Sequence, residues 1–274
     1  MEQWKQANIT FPAWGQAERS MIAHIAPLLT TAGADGLINA WFFIRKHPVW
    51  RVRYSHPAAV GGAAQTRIGR HFDRLIMGGH IADWTSSVYE PEVHAFGGAE
   101  AMDASHRFFH RDSVGFLAHL IARQARGADH RRELSLLLCT LMLRAAGQDW
   151  YEQGDIWARV SAHRDQLASV AQEHAAMLHP AVRRLLSTDI ESQLSPGRPF
   201  ADLTGWADAY QAAGRELADL NASGCLHRGL RDVLAHHVIF AWNRLGLPYE
   251  AQAVIAAAAK AVVFGPDPAQ AKAG

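Results

Sequence analysis

An α+β fold is predicted for this chain, with an antiparallel-leaning sheet from the N-terminal half packed by a helical C-terminal half. Three observations predict it. β-prone runs and turn signals crowd into the first hundred of the 274 residues, and from Ala99 onward apolar residues recur at helical spacing almost to the end. Hydrophobic residues make up 49% and charged residues 19%, the balance of a chain that buries a large core without a staple.

The elements follow in order. Gln3 to Phe11 alternates loosely and ends at Pro12, as a first strand would, and Trp14 to Leu29 then carries apolar residues at helical spacing. Ile38 to Ile44 and Val49 to Tyr54 are two β-prone runs separated by His47-Pro48, which predicts a hairpin. Ala58 to Met77 reads as helix, and Ile81 to His94 returns to an extended pattern that ends in Phe96-Gly97-Gly98. Helices are then expected over Ala99 to Arg126, broken near Asp112-Ser113, and over Arg131 to Ala146, Tyr151 to His163 and Gln166 to Leu186. Thr204 to Ala222, Leu226 to Leu245 and Tyr249 to Phe264 complete them. Residues 1–264 are expected to form a single domain, and 265–274, with two prolines and little that is apolar, a flexible tail.

Lys and Arg total 27 against 26 Asp and Glu, so no global field favours direct contact with nucleic acid or an anionic membrane. The two cysteines, Cys139 and Cys225, have neither metal-ligand nor disulfide-framework spacing, and no 18-residue apolar stretch occurs. A cytoplasmic location is expected. Phosphate-binding, dinucleotide-binding, serine-hydrolase and zinc-protease motifs are missing, and no cofactor is expected. Asp103, His106 and His110 would share one helical face, but nothing supplies a clear further metal ligand, and a solvated polar face accounts for them.

Several residues suit chemistry. Alternation in Val49 to Tyr54 puts Trp50, Val52 and Tyr54 on one face and Arg51 and Arg53 side by side on the other. Paired guanidinium groups can hold carboxylates, although a charged solvated face would also use them. His236-His237 lies in an apolar helix where adjacent residues point about 100° apart, so at most one faces the core directly. Either could be a hydrogen-bonded core residue or a proton-transfer group. Arg244, near the end of that helix, could simply complement the helix dipole.

Three segments together resemble the lantibiotic dehydratase C-terminal domain family, also known as the thiopeptide-type bacteriocin biosynthesis domain. Trp41-Phe42-Phe43-Ile44-Arg45 through Trp50-Arg51-Val52-Arg53 is similar to its strand pair carrying an aromatic-Arg-x-Arg element. Tyr89 to Gly98, continuing to Met102, Phe108 and Asp112-Ser113, resembles its Tyr-x-x-Glu, Gly-Gly and Asp-Ser signature, and Asn243-Arg244-Leu245-Gly246 its closing helix. The likeness spans about residues 4 to 264.

The resemblance implies a peptide-modifying lyase that eliminates glutamate from glutamylated Ser or Thr in a ribosomally made precursor peptide. It implies as partners the leader and core of that peptide and a separate tRNA-dependent glutamylation protein. A homodimer is a further expectation. His236 or His237 would move protons, and Arg51 and Arg53 would hold the glutamate carboxylates. Arg45, Glu92, His94, Gly97, Gly98 and Arg244 would contribute to substrate binding, with the glycines letting backbone N–H groups approach an anion. Two departures stand out. Measured from Asn243-Arg244, the family's histidine falls nearer Ile239, and Ala95 stands where the eliminases carry an Arg before the aromatic-Gly-Gly element. Ala95 leaves open a pyridine synthase, which joins two dehydroalanines by a formal four-plus-two cyclisation with loss of the leader. A non-catalytic subunit that binds the precursor at a strand edge is the third reading.

Overall fold

The computed structural model describes residues 3–123, 130–164, 168–198 and 200–265. They divide into two compact units, Met1–Pro91 with Phe109–Gly127, and Glu92–Phe108 with Ala128–Gly274. The α+β expectation holds: the sheet belongs to the first unit, and the described residues of the second are helices and connections.

In the first unit, β1 (Gln3–Thr10), β2 (Ala40–Lys46), β3 (Val49–His56) and β4 (Asp83–Ser87) form an antiparallel sheet in the order β2-β3-β1-β4. The β2–β3 hairpin forms where the sequence predicts it, turning through a cis His47–Pro48 peptide. Register follows the alternation: Ile44 faces Arg51, Phe42 faces Arg53, and on the other side of β3 Arg53 faces Gln6. One sheet face therefore presents Ala7, Ile9, Phe43, Trp50, Val52 and Tyr54, all buried. Each large side chain of that set contributes about 1.5–3 kcal/mol by leaving water.

The segment predicted as one helix over Trp14–Leu29 opens with a 3-10 turn and continues as α1 (Ala17–Ser20), a π turn (Met21–Ile25) and α2 (Ala26–Ala34). Pro27 explains the π turn, because it has no N–H to donate four residues back and its ring would press on the carbonyl of Ala23. Helix α3 (Gly61–Met77) buries Ala64, Ile68, Phe72 and Leu75 at helical spacing. Phe72 meets Trp84 of β4 edge-on at 5.3 Å.

Only Asp83–Ser87 of the extended stretch over Ile81–His94 pairs as a strand. Pro91 follows without a ladder donor, and residues 93–97 turn. Helix α4 (Ala99–Arg123) runs unbroken through Asp112 and Ser113, where the sequence suggests an interruption. Both side chains are wholly buried, so packing overrides the weak helical preference of Asp and Ser. The predicted end at Arg126 lies outside the described residues.

The second unit holds α5 (Arg131–Ala145), α6 (Trp150–Ala162), α7 (Ala168–Ser187), α8 (Thr204–Ala222), α9 (Leu230–Leu245) and α10 (Tyr249–Phe264), besides the first turns of α4. Every side chain of α5 from Leu134 to Leu143 is buried, which makes it the central helix. It packs on α8, while α10 packs on α6 and α7. A capping box between Asp149 and Glu152 starts α6, and Gly246, left-handed at φ 73°, ends α9. That helix begins at Leu230 and not at Leu226, because Gly229 is extended and residues 226–228 form a loop. The expected start at Gln166 and the tail beyond Gly265 lie outside the described residues.

Candidate functional site

On the sheet face opposite the apolar one, β3 presents Arg51 and Arg53 beside Gln6 and Asn8 of β1, and Ser87 of β4 faces Gln6. Arg53 is buried, and its Nε donates to Gln6 Oε1 at 2.7 Å. The Gln6 amide in turn donates to Asn8 Oδ1 at 3.0 Å and Ser87 Oγ at 2.9 Å. The Arg53 guanidinium lies 4.3 Å from the ring centre of Tyr89 and 5.3 Å from that of Phe42. A planar cation suits such a site because it stacks while its edge still donates. Arg51 is half-buried, and its Nε is shielded from water with no hydrogen-bond partner. An unsatisfied guanidinium N–H costs energy unless an acceptor arrives, so of the two, Arg51 is the cation with capacity to spare.

Arg45 is not brought to this pair. Alternation turns it to the apolar face, where it forms an ion pair with Glu18 and lies 4.4 Å from the Trp50 ring.

The second unit separates the two adjacent histidines. His237 is buried, with Nε2 3.2 Å from Ser105 Oγ and its ring against Phe96 and Phe108. Loss of solvation, reinforced by Arg244 and His236, pushes its pKa down to about 3. Its neighbour His236 points elsewhere: Nε2 lies 3.1 Å from Glu92 Oε2, and the ring is held edge-on by Phe96 and tilted against Phe240. Because a carboxylate can only accept, Nε2 carries the proton of a neutral His236 and Nδ1 its lone pair.

Glu92 is thus joined to His236, whereas His94 is exposed and contributes its backbone carbonyl to the turn, accepting from Gly97 N–H at 3.2 Å. Gly97 and Gly98 have φ of 92° and 115°, and a Cβ at either would meet Leu226 or His227 at 2.6 or 3.0 Å. Both positive φ and close packing therefore require glycine. Arg244 is wholly buried with its guanidinium 5.4 Å from the Phe108 ring centre, which is not the setting of a solvated cation at a helix end.

Other residues join this cluster without a signal in the sequence. Arg228 Nη1 donates to the Ala95 carbonyl at 2.9 Å. The pKa of His163 is lowered by burial and by repulsion from His236, Arg164 and Arg228. Among the described residues no three His, Cys, Asp or Glu side chains gather as a metal site requires, and no helix is long and apolar enough to cross a membrane. An apolar groove of about 630 Å³ is lined by other residues, among them Leu136, Met177, Val182 and Ile255.

Residues 4–263 match the family described as lantibiotic biosynthesis dehydratase C-term. The chain belongs to that family. Solved structures with the family's fold are similar to it across nearly its whole length. The tRNA-dependent lantibiotic dehydratase MibB from Microbispora sp. 107891 aligns over 95% of this chain with a TM-score of 0.68 and 17% identity. This chain spans only 28% of MibB. TbtD, the pyridine synthase of thiomuracin biosynthesis, aligns over 96% of this chain and 99% of its own, with a TM-score of 0.64 and 16% identity. TsrL aligns over 98% and 99%, with a TM-score of 0.58 and 17% identity. No curated protein matches the sequence.

Gln6 could have been found by pairing β1 against β3, since the antiparallel register sets it opposite Arg53. His163 and Arg228 had no such signal.

Proposed function

We propose that this protein is a peptide-modifying lyase of ribosomal peptide natural-product biosynthesis, releasing glutamate from glutamylated Ser or Thr in a precursor peptide. The observation that carries the reading is the His236–Glu92 pair, an imidazole oriented by a carboxylate and stationed between aromatic rings. In the elimination, a base takes the α-proton, the Cα–H electrons form the Cα=Cβ bond, and the Cβ–O bond breaks to leave glutamate as a carboxylate. Nδ1 of His236 is the base, and Glu92 stabilises the imidazolium that results. His237, buried and held neutral, supports the helix instead. On the strand face of the first unit, Arg51 is the residue with capacity to hold an anion, and Arg53 maintains that face beside it; a charge-assisted hydrogen bond contributes about 1.5–3 kcal/mol. Membership of a dehydratase C-terminal family supports the same reading. Its partners would be the precursor peptide and a separate glutamylation protein.

The test is direct. Incubation with a glutamylated precursor should release free glutamate and leave a dehydroamino acid, and His236→Ala should lower that rate by roughly 10²–10⁴-fold, the usual contribution of a positioned acid–base group. Substrate returned intact by the wild-type protein refutes the proposal. Ala95 favours a second reading, pyridine formation from two dehydroalanines, because joining them leaves no glutamate to be held. A dehydrated azole-containing peptide would then give a macrocycle with loss of leader.

A further inference from the structure

The loop between α8 and α9 is fastened onto the glycine turn. His227 N–H donates to the Gly97 carbonyl at 2.7 Å, and the His227 ring covers Gly98 closely enough that a Cβ there would lie 3.0 Å from its Nδ1. Arg228 follows, and its bond from Nη1 to the Ala95 carbonyl fixes the guanidinium one residue from Phe96, the ring that holds His236.

Charge around this point is unbalanced. Among the described residues, the carboxylates tied to this cluster are Glu92, joined to His236, and Asp232, whose Oδ1 lies 2.5 Å from Arg159. Arg228 has no carboxylate partner among the described residues, and it repels any proton arriving on His163. A half-buried arginine with one nitrogen anchored by backbone and its remaining donors uncommitted is preorganised for an anion, since the cost of fixing the side chain is already met.

We propose that Arg228 is a carboxylate-binding residue of the His236 site, gripping a substrate carboxylate through the guanidinium donors that Ala95 leaves free. This rests on the reading of His236 as the proton-transfer group. The ligand class is a small carboxylate such as the glutamate released on elimination. A lysine cannot replace it fully, because an ammonium offers no planar fork to two oxygens.

The experiment separates binding from turnover. Free L-glutamate is titrated into the wild-type protein, Arg228→Lys, Arg228→Ala and His236→Ala, with binding read by ligand-observed NMR and folding by thermal melting, while glutamate release from a glutamylated precursor is measured in parallel. Arg228→Ala should weaken glutamate binding at least tenfold and raise KM more than it lowers kcat. Arg228→Lys, which preserves the charge should the alanine variant misfold, should fall between, and His236→Ala should bind glutamate as the wild type does while its turnover falls by roughly 10²–10⁴-fold. Equal binding by wild-type and both folded Arg228 variants, or no binding by the wild-type protein, overturns the proposal. Binding that depends on Arg228 in a protein that releases no glutamate upholds it while refuting the lyase reading.

Discussion

Replacing His237 by Gln should remove a specific acid sensitivity from the fold. The imidazole is buried within the second unit, and its pKa falls from 6.5 in the unfolded chain to about 3 in the folded one. A depressed folded value means that the unfolded state binds the proton first, so the stabilising contribution is complete above pH 6.5 and drains away as pH falls toward 3. Each pH unit inside that window costs about 1.4 kcal/mol, so roughly 2 kcal/mol disappears between pH 6.5 and 5.0 and about 5 kcal/mol over the whole interval. Glutamine keeps an amide that can reach toward Ser105 Oγ, yet it does not titrate. Urea unfolding of both proteins at pH 6.5, 5.75 and 5.0 isolates this residue, because the other histidines and all carboxylates are common to the pair and cancel in the difference. The variant is expected to start less stable at pH 6.5 and to close the gap by about 2 kcal/mol at pH 5.0. Parallel stability curves would show that His237 accepts its proton in the folded state as readily as in the unfolded one, and the burial argument would fail.

Three further substitutions test the packing within each unit. Gly214→Ala should destabilise by about 1–3 kcal/mol despite the better helix propensity of alanine, because a Cβ there would lie 2.2 Å from the Met142 carbonyl oxygen and force α5 and α8 apart; chemical denaturation reads the sign, and a gain in stability would contradict the close approach. Arg53→Lys should cost about 2 kcal/mol, since it loses both the Nε donation to Gln6 and the stacking on Tyr89, whereas Arg51→Lys should cost less than half as much because Arg51 Nε has no partner to lose; comparable losses at the two positions would show that the strand face does not distinguish them.

The sheet was legible because a period-two pattern determines which side chains share a face, and the alternation of Arg51 and Arg53 with Trp50, Val52 and Tyr54 needs no tertiary information. The helices were legible for the same reason at a period of 3.6. What escaped was set by packing at longer range. A buried Asp112-Ser113 reads locally as a helix break, yet α4 continues because both side chains are enclosed. Pro27 gives no sequence hint that a π turn will absorb it. The extended run after Ile81 shortens to five residues because only Asp83–Ser87 finds a partner in β1. In each case local preference was correct about chemistry and silent about neighbours.

The same distinction governs the site. Sequence reasoning left His236 and His237 equivalent, and a rotation of about 100° between adjacent helical positions is all that separates the buried His237 from the part-exposed His236. The discriminating information lies 144 positions away, in the Glu92 carboxylate that meets His236 and not His237. Arg228 and Ala95, 133 positions apart, are joined only through a backbone carbonyl, a partner that every residue possesses and that therefore leaves no mark on composition or spacing. Missing a guanidinium in the primary sequence next to Phe96 and finding one there in space are thus compatible: a binding function depends on where a charge is held, not on which segment supplies it. If that holds here, moving the charge back by Ala95→Arg in an Arg228→Ala background should restore glutamate binding, because the backbone position at the glycine turn is unchanged.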